Sequence, residues 1–271
     1  MSLPFAKIFI QAIRITRANK FLWIFGLLLV SGQLVNYTLG LEEKLPIDPI
    51  LGLVGLIVLI ILNFRAKAGL IIAVKAIIEK QDTSLKTSFA FSKLFYQRIL
   101  AIAILVQLGL LILATLISAP IFFLYDHGYL IRALLLGIFG LGIFIPTMLL
   151  GVFINLLSPM FVVLFDLTIS EAFRRSFELI MKHWPTLIAF GFLLFIVEFI
   201  AFSPLVFLGF LAYHSGGLIY IIFGSIVFLL MQPLVAVFSQ TAWVLAFTDL
   251  IKPQKLADPE PVAVPEVITG D

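Results

Sequence analysis

The chain has 271 residues, of which 62% are hydrophobic and 12% are charged, and its mean hydropathy is +1.18. A soluble domain carries about 25% charged residues, so this composition excludes an ordinary water-soluble fold and indicates a protein of the lipid bilayer. The formal net charge is +3 and there is no cysteine, which excludes disulfides and thiolate metal sites. Because Lys and Arg cluster beside apolar runs, they indicate orientation in a membrane rather than binding to nucleic acid.

Six apolar segments have the roughly 20 residues that a membrane-spanning helix requires. The first follows several cations, as a signal peptide would, but its length and the spans after it predict a retained first transmembrane helix. The predicted spans are 21–40, 49–72, 99–125, 133–165, 186–212 and 218–248. The even-numbered spans are longer than a bilayer needs. Proline removes a helical hydrogen bond, so kinks are predicted at Pro146, Pro159 and Pro233.

The distribution of cations predicts the orientation of the chain. Of the 18 Lys and Arg residues, 16 fall on one side of the six spans, and Lys44 and Arg132 fall on the other. The positive-inside rule then places both termini in the cytoplasm, and we expect a multi-pass protein of a cytoplasmic membrane. Arg65 and Lys67, near the end of the second span, are expected to snorkel to water. The tail, residues 251–271, is rich in proline and acidic residues and is predicted to be disordered.

Three segments of the chain resemble one another and suggest an internal repeat. They begin at Ser2, Ser84 and Thr168, each with an apolar residue, a small residue and a nearby Phe, and the starts are 82 and 84 residues apart. Each segment leads into an apolar span. The predicted fold is therefore all-α, with six transmembrane helices and three cytoplasmic interfacial helices in one membrane domain, 1–250. Its repeat units are 2–82, 83–167 and 168–250, related by an axis along the membrane normal.

The third segment, "LTISEAFRRSFELIMKHWPTLIAF", residues 167–190, shows the design of a unit. Thr168 and Glu171 fit a capping box. The chain is predicted to turn at Trp184-Pro185, because Pro185 suits the first turn of the helix that enters the membrane. Two ion pairs at i,i+4 spacing are predicted along it, Glu171–Arg175 and Glu178–Lys182.

Each of the three helices has an apolar face and a basic face. In the first helix, one apolar face is formed by Phe5, Phe9, Ala12 and Ile13. We expect the apolar faces to lie in the acyl boundary and the basic faces to point toward anionic headgroups. Membrane lipids are therefore the expected partners, and protein partners are unspecified. The candidate headgroup contacts are Lys7, Arg14, Arg17, Lys86, Lys93, Arg174, Arg175 and Lys182.

Two stretches, "AIRITRANKFLWIFGLLL" and "EAFRRSFELIMKHWPTLIAFGFLL", resemble a broad family of bacterial six-span proteins. That family includes the membrane domain attached to some glycerophosphoryl diester phosphodiesterases and stand-alone proteins of unknown function. The resemblance covers the chain to about residue 250. In the fused members a separate soluble domain carries the phosphodiesterase chemistry, so the resemblance implies a membrane role near lipids and no catalysis for this chain.

No motif for a catalytic nucleophile, a metal site or a phosphate-binding loop is found, so no catalytic residue, metal or cofactor is predicted. The strongest polar candidate is Glu198, because a carboxylate deep in a span is costly and often functional. Arg132 is its possible partner. Asn155 and Gln232 are further candidates for an intramembrane polar site, although polar residues in spans also serve as interhelical hydrogen bonds, and Glu198 could be protonated and purely structural.

Two functions are consistent with these features. The first is a non-enzymatic membrane protein that organises lipids or partner proteins. The alternative is a small transporter or lipid-translocating protein with an intramembrane site around Glu198. An intramembrane enzyme is disfavoured, because no paired acid, base or nucleophile lies at membrane depth.

Overall fold

The computed structural model describes residues 3–39, 49–215 and 218–251, and within these ranges the chain forms eight α-helices and no strand. The helices are α1 (Phe5–Ala18), α2 (Leu22–Leu39), α3 (Pro49–Ile78), α4 (Leu85–Ser92), α5 (Tyr96–Asp126), α6 (Leu130–Phe165), α7 (Ile169–Ser215) and α8 (Leu218–Ile251). The predicted all-α class is therefore confirmed for the described ranges.

Five helices are long and apolar enough to cross a membrane, which confirms the multi-pass character. The spanning stretches are Leu53–Ile78, Tyr96–Asp126, Leu130–Phe165, Ile169–Pro204 and Ile226–Ile251. They overlap the second to sixth predicted spans, although the stretch in α7 begins at Ile169 instead of residue 186. Helix α2 coincides with the predicted first span, but its side chains are described only as far as Val30. The predicted disordered tail lies outside the described residues, beyond Ile251.

The three prolines predicted to kink the spans, Pro146, Pro159 and Pro233, lie inside helices α6 and α8, which continue past them, and the kinks themselves stay a prediction. Helix α7 instead leaves the helical conformation at His183 (φ −125°, ψ 20°), two residues before Pro185. Proline in a first turn lacks only an amide that would have no helical partner there. The predicted turn at Trp184-Pro185 is thus confirmed to within a residue, and α7 consists of a short segment, 169–182, and a long one.

Most buried side chains lie at one end of the helices, which we call the packed end. It comprises α1, α4, the segment 167–194 and the stretches 22–25, 66–80, 99–106, 153–163 and 237–250, whose buried apolar residues form one core against which Leu85 and Phe89 of α4 pack. Phe190 is fully buried there and packs edge-on against Trp243, with ring centroids 4.8 Å apart. Such aromatic pairs add to the stabilisation from burial alone, so this end holds the helices together.

The opposite end is largely exposed where its side chains are described, and we call residues 107–150, 195–204 and 226–230 the open end. Phe122 is 70% exposed and Ile131 76%. The outer halves of α5 and α6 meet along one stripe, where a methyl group added to Gly140 would lie 2.4 Å from the Ile117 side chain. Only 11% of the most apolar stretch of α6 is buried, against 50% for α8. Apolar surface of this extent requires lipid around it.

Helix α1 packs against protein rather than lipid, which corrects the expected placement of its apolar face. Its buried side chains include Ile8, Ala12 and Ile15. Phe9 stacks on Phe190 of α7, with ring centroids 5.5 Å apart, whereas Ile13 is 55% exposed. The inward face of α1 is therefore rotated from the predicted one and belongs to the core of the packed end.

Helix α2 approaches α8 closely at Gly26. A Cβ atom on Gly26 would lie 2.3 Å from the carbonyl oxygen of Pro233 and 2.7 Å from a methyl group of Val237. Such small-residue contacts let helix backbones approach in membranes, so Gly26 sets the distance between these two helices.

Candidate functional site

The packed end contains a polar contact between α3 and α6 that involves a half-buried lysine. The Lys67 Nζ donates a hydrogen bond of 3.0 Å to the backbone carbonyl of Asn155. In a regular helix that carbonyl accepts from the amide four residues later, which here is Pro159, and proline has no N–H. Lys67 therefore supplies the donor that Pro159 lacks.

Two further cations bind the carboxyl end of α6. The Lys75 Nζ lies 3.4 Å from the carbonyl oxygen of Leu164. The Arg98 guanidinium donates to the Asp166 carboxylate at 2.7 Å and to the carbonyl of Leu167 at 3.3 Å. Cations are favourable at a helix carboxyl end, where carbonyl groups are unpaired and the helix dipole is negative. Together with Lys67, these two cations place positive charge beside the carbonyl groups of the last three turns of α6.

Arg65 attaches the short helix α4 to α3. Its guanidinium donates to the carbonyl of Phe89 at 3.0 Å and lies 4.1 Å above the centre of the Phe89 ring. Arg65 and Lys67 thus bond to protein carbonyls instead of snorkelling to water as predicted. The cause in both cases is a carbonyl or ring presented by a neighbouring helix, which sequence spacing does not show.

The residues of the predicted intramembrane polar site do not form one network. Glu198 is half-buried, and within the described part of the chain it has no hydrogen-bond or ion-pair partner. Arg132 is exposed and lies over the Tyr129 ring, 5.1 Å from its centre. The predicted Glu198–Arg132 pair is therefore wrong. Gln232 is half-buried on α8, immediately before Pro233.

Asn155 contributes through its backbone rather than through its side chain. Its carbonyl receives Lys67, while its Oδ1 is buried without a hydrogen-bond partner. On α8, the Gln240 Nε2 and Thr241 Oγ1 atoms are likewise buried without partners. These three atoms therefore do not make the interhelical hydrogen bonds that polar residues in spans often make.

Sequence reasoning missed Lys75, Arg98 and Asp166 as bonding residues. A usable signal was present in α3, because Lys67 and Lys75 are separated by eight residues and so lie on roughly the same face of a helix. The partner carbonyls, however, lie 88 and 89 residues further along the chain. Their positions follow from helix packing and not from any local pattern.

The short segment of α7 is capped as predicted but paired differently. The Glu171 amide donates to Thr168 Oγ1 at 3.4 Å, and Thr168 Oγ1 lies 3.1 Å from the Glu171 carboxylate. This carboxylate is therefore engaged at the cap and does not pair with Arg175. Arg174, instead of Lys182, approaches Glu178, at 3.9 Å. The two predicted ion pairs are therefore wrong, although the observed pair, Arg174–Glu178, also has i,i+4 spacing.

Most of the candidate headgroup contacts are exposed and available. Arg175 is half-buried and Arg174 is paired with Glu178. The others are exposed and form no ion pair with any described residue: Lys7, Arg14, Arg17, Lys86, Lys93 and Lys182. Arg132 is the only Lys or Arg among the described residues that lies at the open end.

Two of these cations line a cleft between α1 and the end of α3, which we call the α1–α3 cleft. Its volume is about 620 Å³. Its polar lining residues are Lys7, Gln11, Arg14 and Lys80, and its apolar ones are Ile10, Ile15, Ile77 and Ile78. A cleft with an apolar floor and a few convergent charges is typical of a ligand site.

Nothing in the described ranges resembles a metal centre, since no group of three or more His, Asp or Glu side chains there could hold a metal ion.

The helices, the lipid-exposed open end and the basic packed end define the class of this protein as a multi-pass helical membrane protein. A family model, described as a domain of unknown function (DUF7847), matches residues 3–250, so the chain belongs to that family. No curated protein and no solved structure matches the chain. The resemblance to the phosphodiesterase-associated membrane domain stays a prediction.

Proposed function

We propose that this protein is a non-enzymatic, six-span protein of a bacterial inner membrane that gathers anionic lipids, and through them organises the membrane or its partners, at the cytoplasmic leaflet. The observation that carries the proposal is the crowding of exposed, unpaired cations at the packed end, including Lys7, Arg14 and Lys86. The packed end is then the cytoplasmic end, as the positive-inside rule requires.

The energetics favour this assignment. Each Lys or Arg near an anionic leaflet contributes roughly 1 kcal/mol of attraction, and salt screens it within a Debye length. Exposed cations that already had carboxylate partners would contribute less. Because most of these cations lack such partners among the described residues, nearly their full charge faces the lipid headgroups.

The six-span count and the repeat belong to this proposal. Helix α2 is the remaining span. The repeat is supported by similar backbone geometry at the two junctions between units. Helices α3 and α6, which end the first and second units, are each followed by a residue in the left-handed conformation, Lys80 (φ 57°) and Asp166 (φ 51°). The helix after each begins with a hydroxyl cap, Ser84 to the amide of Thr87 at 3.2 Å and Thr168 to that of Glu171.

Tryptophan quenching tests the proposal with native fluorophores. Trp23 and Trp184 are 37% and 57% exposed on helices of the packed end, so brominated lipids beside them quench their fluorescence. In nanodiscs of mixed lipids, we expect a brominated anionic lipid to quench more than a brominated zwitterionic lipid at equal mole fraction. The excess should fall as salt rises.

Charge variants give the matched comparison. Replacing Arg17, Lys86 and Lys182 by Gln should reduce the excess quenching, whereas Arg132→Gln at the open end should leave it unchanged. Equal quenching by both lipids, or an excess that salt does not change, would reject the proposal.

A small transporter is the second candidate, and the half-buried, unpartnered carboxylate of Glu198 favours it. A transport site in a span predicts that proteoliposomes move a cation or an amine-bearing solute or lipid. Flux that is unchanged by Glu198→Gln would remove this candidate.

A further inference from the structure

The α1–α3 cleft is lined by three cationic side chains of the packed end. Lys7 and Arg14 approach it from α1 and Lys80 from the end of α3. None of the three forms an ion pair with a residue of the described ranges. The nearest acidic residue in sequence, Glu79, does not line the cleft. Among the described residues that line the cleft, the three cations therefore have no acidic counterpart.

We propose that the α1–α3 cleft binds one phosphate-bearing anionic membrane lipid, with its phosphate among Lys7, Arg14 and Lys80. This inference rests on the proposed function and deepens it, since it assigns one defined site within a generally basic surface. Arginine offers a planar fork of donors for phosphate oxygens, and lysine offers a mobile point charge. The two kinds of cation together suit a phosphodiester.

The backbone at Lys80 supports a role for that side chain. Helix α3 ends with the amide of Lys80 bonded to the carbonyl of Ile77 at 3.2 Å and the amide of Gln81 bonded to that of Ala76 at 2.9 Å. This is the Schellman arrangement, in which glycine usually occupies the left-handed position. Lys80 occupies it with φ 57°. Lysine occupies a position where glycine is conformationally cheaper, and Lys80 lines the cleft.

The floor of the cleft distinguishes a lipid from a soluble anion. Ile10, which is 60% exposed, and Ile15, Ile77 and Ile78 provide apolar surface beside the cations. Free phosphate has no group to place on that surface, whereas the glycerol backbone and the first methylenes of a lipid do. The volume of about 620 Å³ lies within the range of small-ligand sites, roughly 300–1,000 Å³. The cleft lies at the end of a membrane-spanning helix, where headgroups are found.

Native mass spectrometry of the full chain in detergent tests the site. With phosphatidylglycerol added, we expect one tightly retained lipid per protein, and with phosphatidylcholine none. Replacing both Lys7 and Arg14 by Gln should weaken retention roughly 30-fold, since each juxtamembrane cation is worth about fivefold in affinity. The double replacement of Lys20 and Arg132 by Gln removes the same charge from exposed positions outside the cleft and outside the candidate headgroup contacts, and should leave retention unchanged. Equal loss in both double variants would overturn the proposal.

Lys80→Gly separates binding from folding. It should weaken lipid retention about fivefold while raising thermal stability, because glycine accepts the left-handed conformation without strain. Loss of retention together with loss of stability would indicate a folding defect. In that case the Lys7 and Arg14 variant, tested for helicity by circular dichroism, decides the question.

Two competing occupants are distinguished by the same assay. Displacement of the lipid by inorganic phosphate would indicate a soluble-anion site and overturn the lipid assignment. Lipid retention that appears only after deletion of residues 252–271, whose last fifteen residues carry acidic and no basic side chains, would identify that tail as the occupant and would also overturn it.

The proposed function and this inference fail in different ways. If tryptophan quenching shows anionic enrichment but no lipid is retained one-to-one, the surface proposal stands and the cleft proposal falls. If one lipid is retained without general enrichment, the cleft proposal stands alone.

Discussion

The contact between Lys67 and the Asn155 carbonyl allows a quantitative test of how this protein uses a proline inside a span. Lys67→Met removes the donor and keeps the length of the side chain. A hydrogen bond from a charged donor is worth about 1.5–3 kcal/mol, but the variant also removes the desolvation cost of a half-buried ammonium. The net effect of the single substitution is therefore smaller than the hydrogen bond itself.

The coupling with Pro159 isolates the hydrogen bond from the desolvation cost. In Pro159→Ala, the new amide of residue 159 donates to the Asn155 carbonyl, as in any α-helix. Lys67→Met should then destabilise the protein by about 2 kcal/mol less in the Pro159→Ala background than in the native background. The measurement is reversible unfolding in mixed micelles, followed by helicity and tryptophan fluorescence, for the four members of a double-mutant cycle.

Two control cycles define the outcome. Lys75→Met with Pro159→Ala, and Lys67→Met with Pro146→Ala, should each be additive, since neither pair shares a carbonyl. Distant pairs add within about 0.5 kcal/mol. If the Lys67–Pro159 cycle is additive to that extent, Lys67 does not replace the missing amide and the reasoning is refuted.

Three further predictions concern packing and backbone. Gly26→Ala should destabilise the protein by about 1–3 kcal/mol through overpacking, because a Cβ would meet α8 at 2.3 Å. Asp166→Ala should be less stable than Asp166→Gly by about 1 kcal/mol, because residue 166 is left-handed (φ 51°). Ser158→Ala should cost about 1–3 kcal/mol, because it leaves buried Ser176, whose Oγ lies 2.9 Å from Ser158 Oγ, without its partner. The same unfolding assay measures all three.

Each of these predictions has an internal comparison. Gly142→Ala meets no atom within 4 Å and should be neutral or slightly stabilising, so equal effects at Gly26 and Gly142 would contradict the packing argument. Identical stability of the two Asp166 variants would argue against backbone strain. Replacing both Ser158 and Ser176 by Ala should recover most of the loss of the single variant, and a larger loss in the double variant would show that the hydroxyls have other roles.

The helices could be predicted because hydropathy is a local property of the sequence, whereas the orientation stays a prediction. Helices α3, α5, α6 and α8 and the long segment of α7 begin and end within about six residues of the second to sixth predicted spans. The Thr168 cap is as predicted, and the break in α7 lies one residue from the predicted turn. Each depends on residues that are close in the chain, where sequence pattern and structure are directly linked.

The inner contacts could not be predicted because they join residues far apart in the chain. The amphipathic pattern of α1 identifies an apolar face, but it cannot say whether lipid or Phe190 covers that face, since both are apolar. Similarly, the depth of Glu198 follows from counting residues, whereas its lack of a partner among the described residues depends on how the helices pack. Arg132 failed as a partner because the Tyr129 ring lies beside it.

The contrast between the packed end and the open end has a mechanical consequence. At about 1.5 Å per residue, the 36 residues of α6 extend about 54 Å, well beyond the roughly 30 Å of a hydrocarbon core. Because few side chains in the outer halves of α5 and α6 are buried, we expect this pair to tilt when bilayer thickness changes, without disturbing the core. Hydrophobic mismatch is then absorbed in one leaflet, while the other leaflet adjoins a rigid body of constant shape.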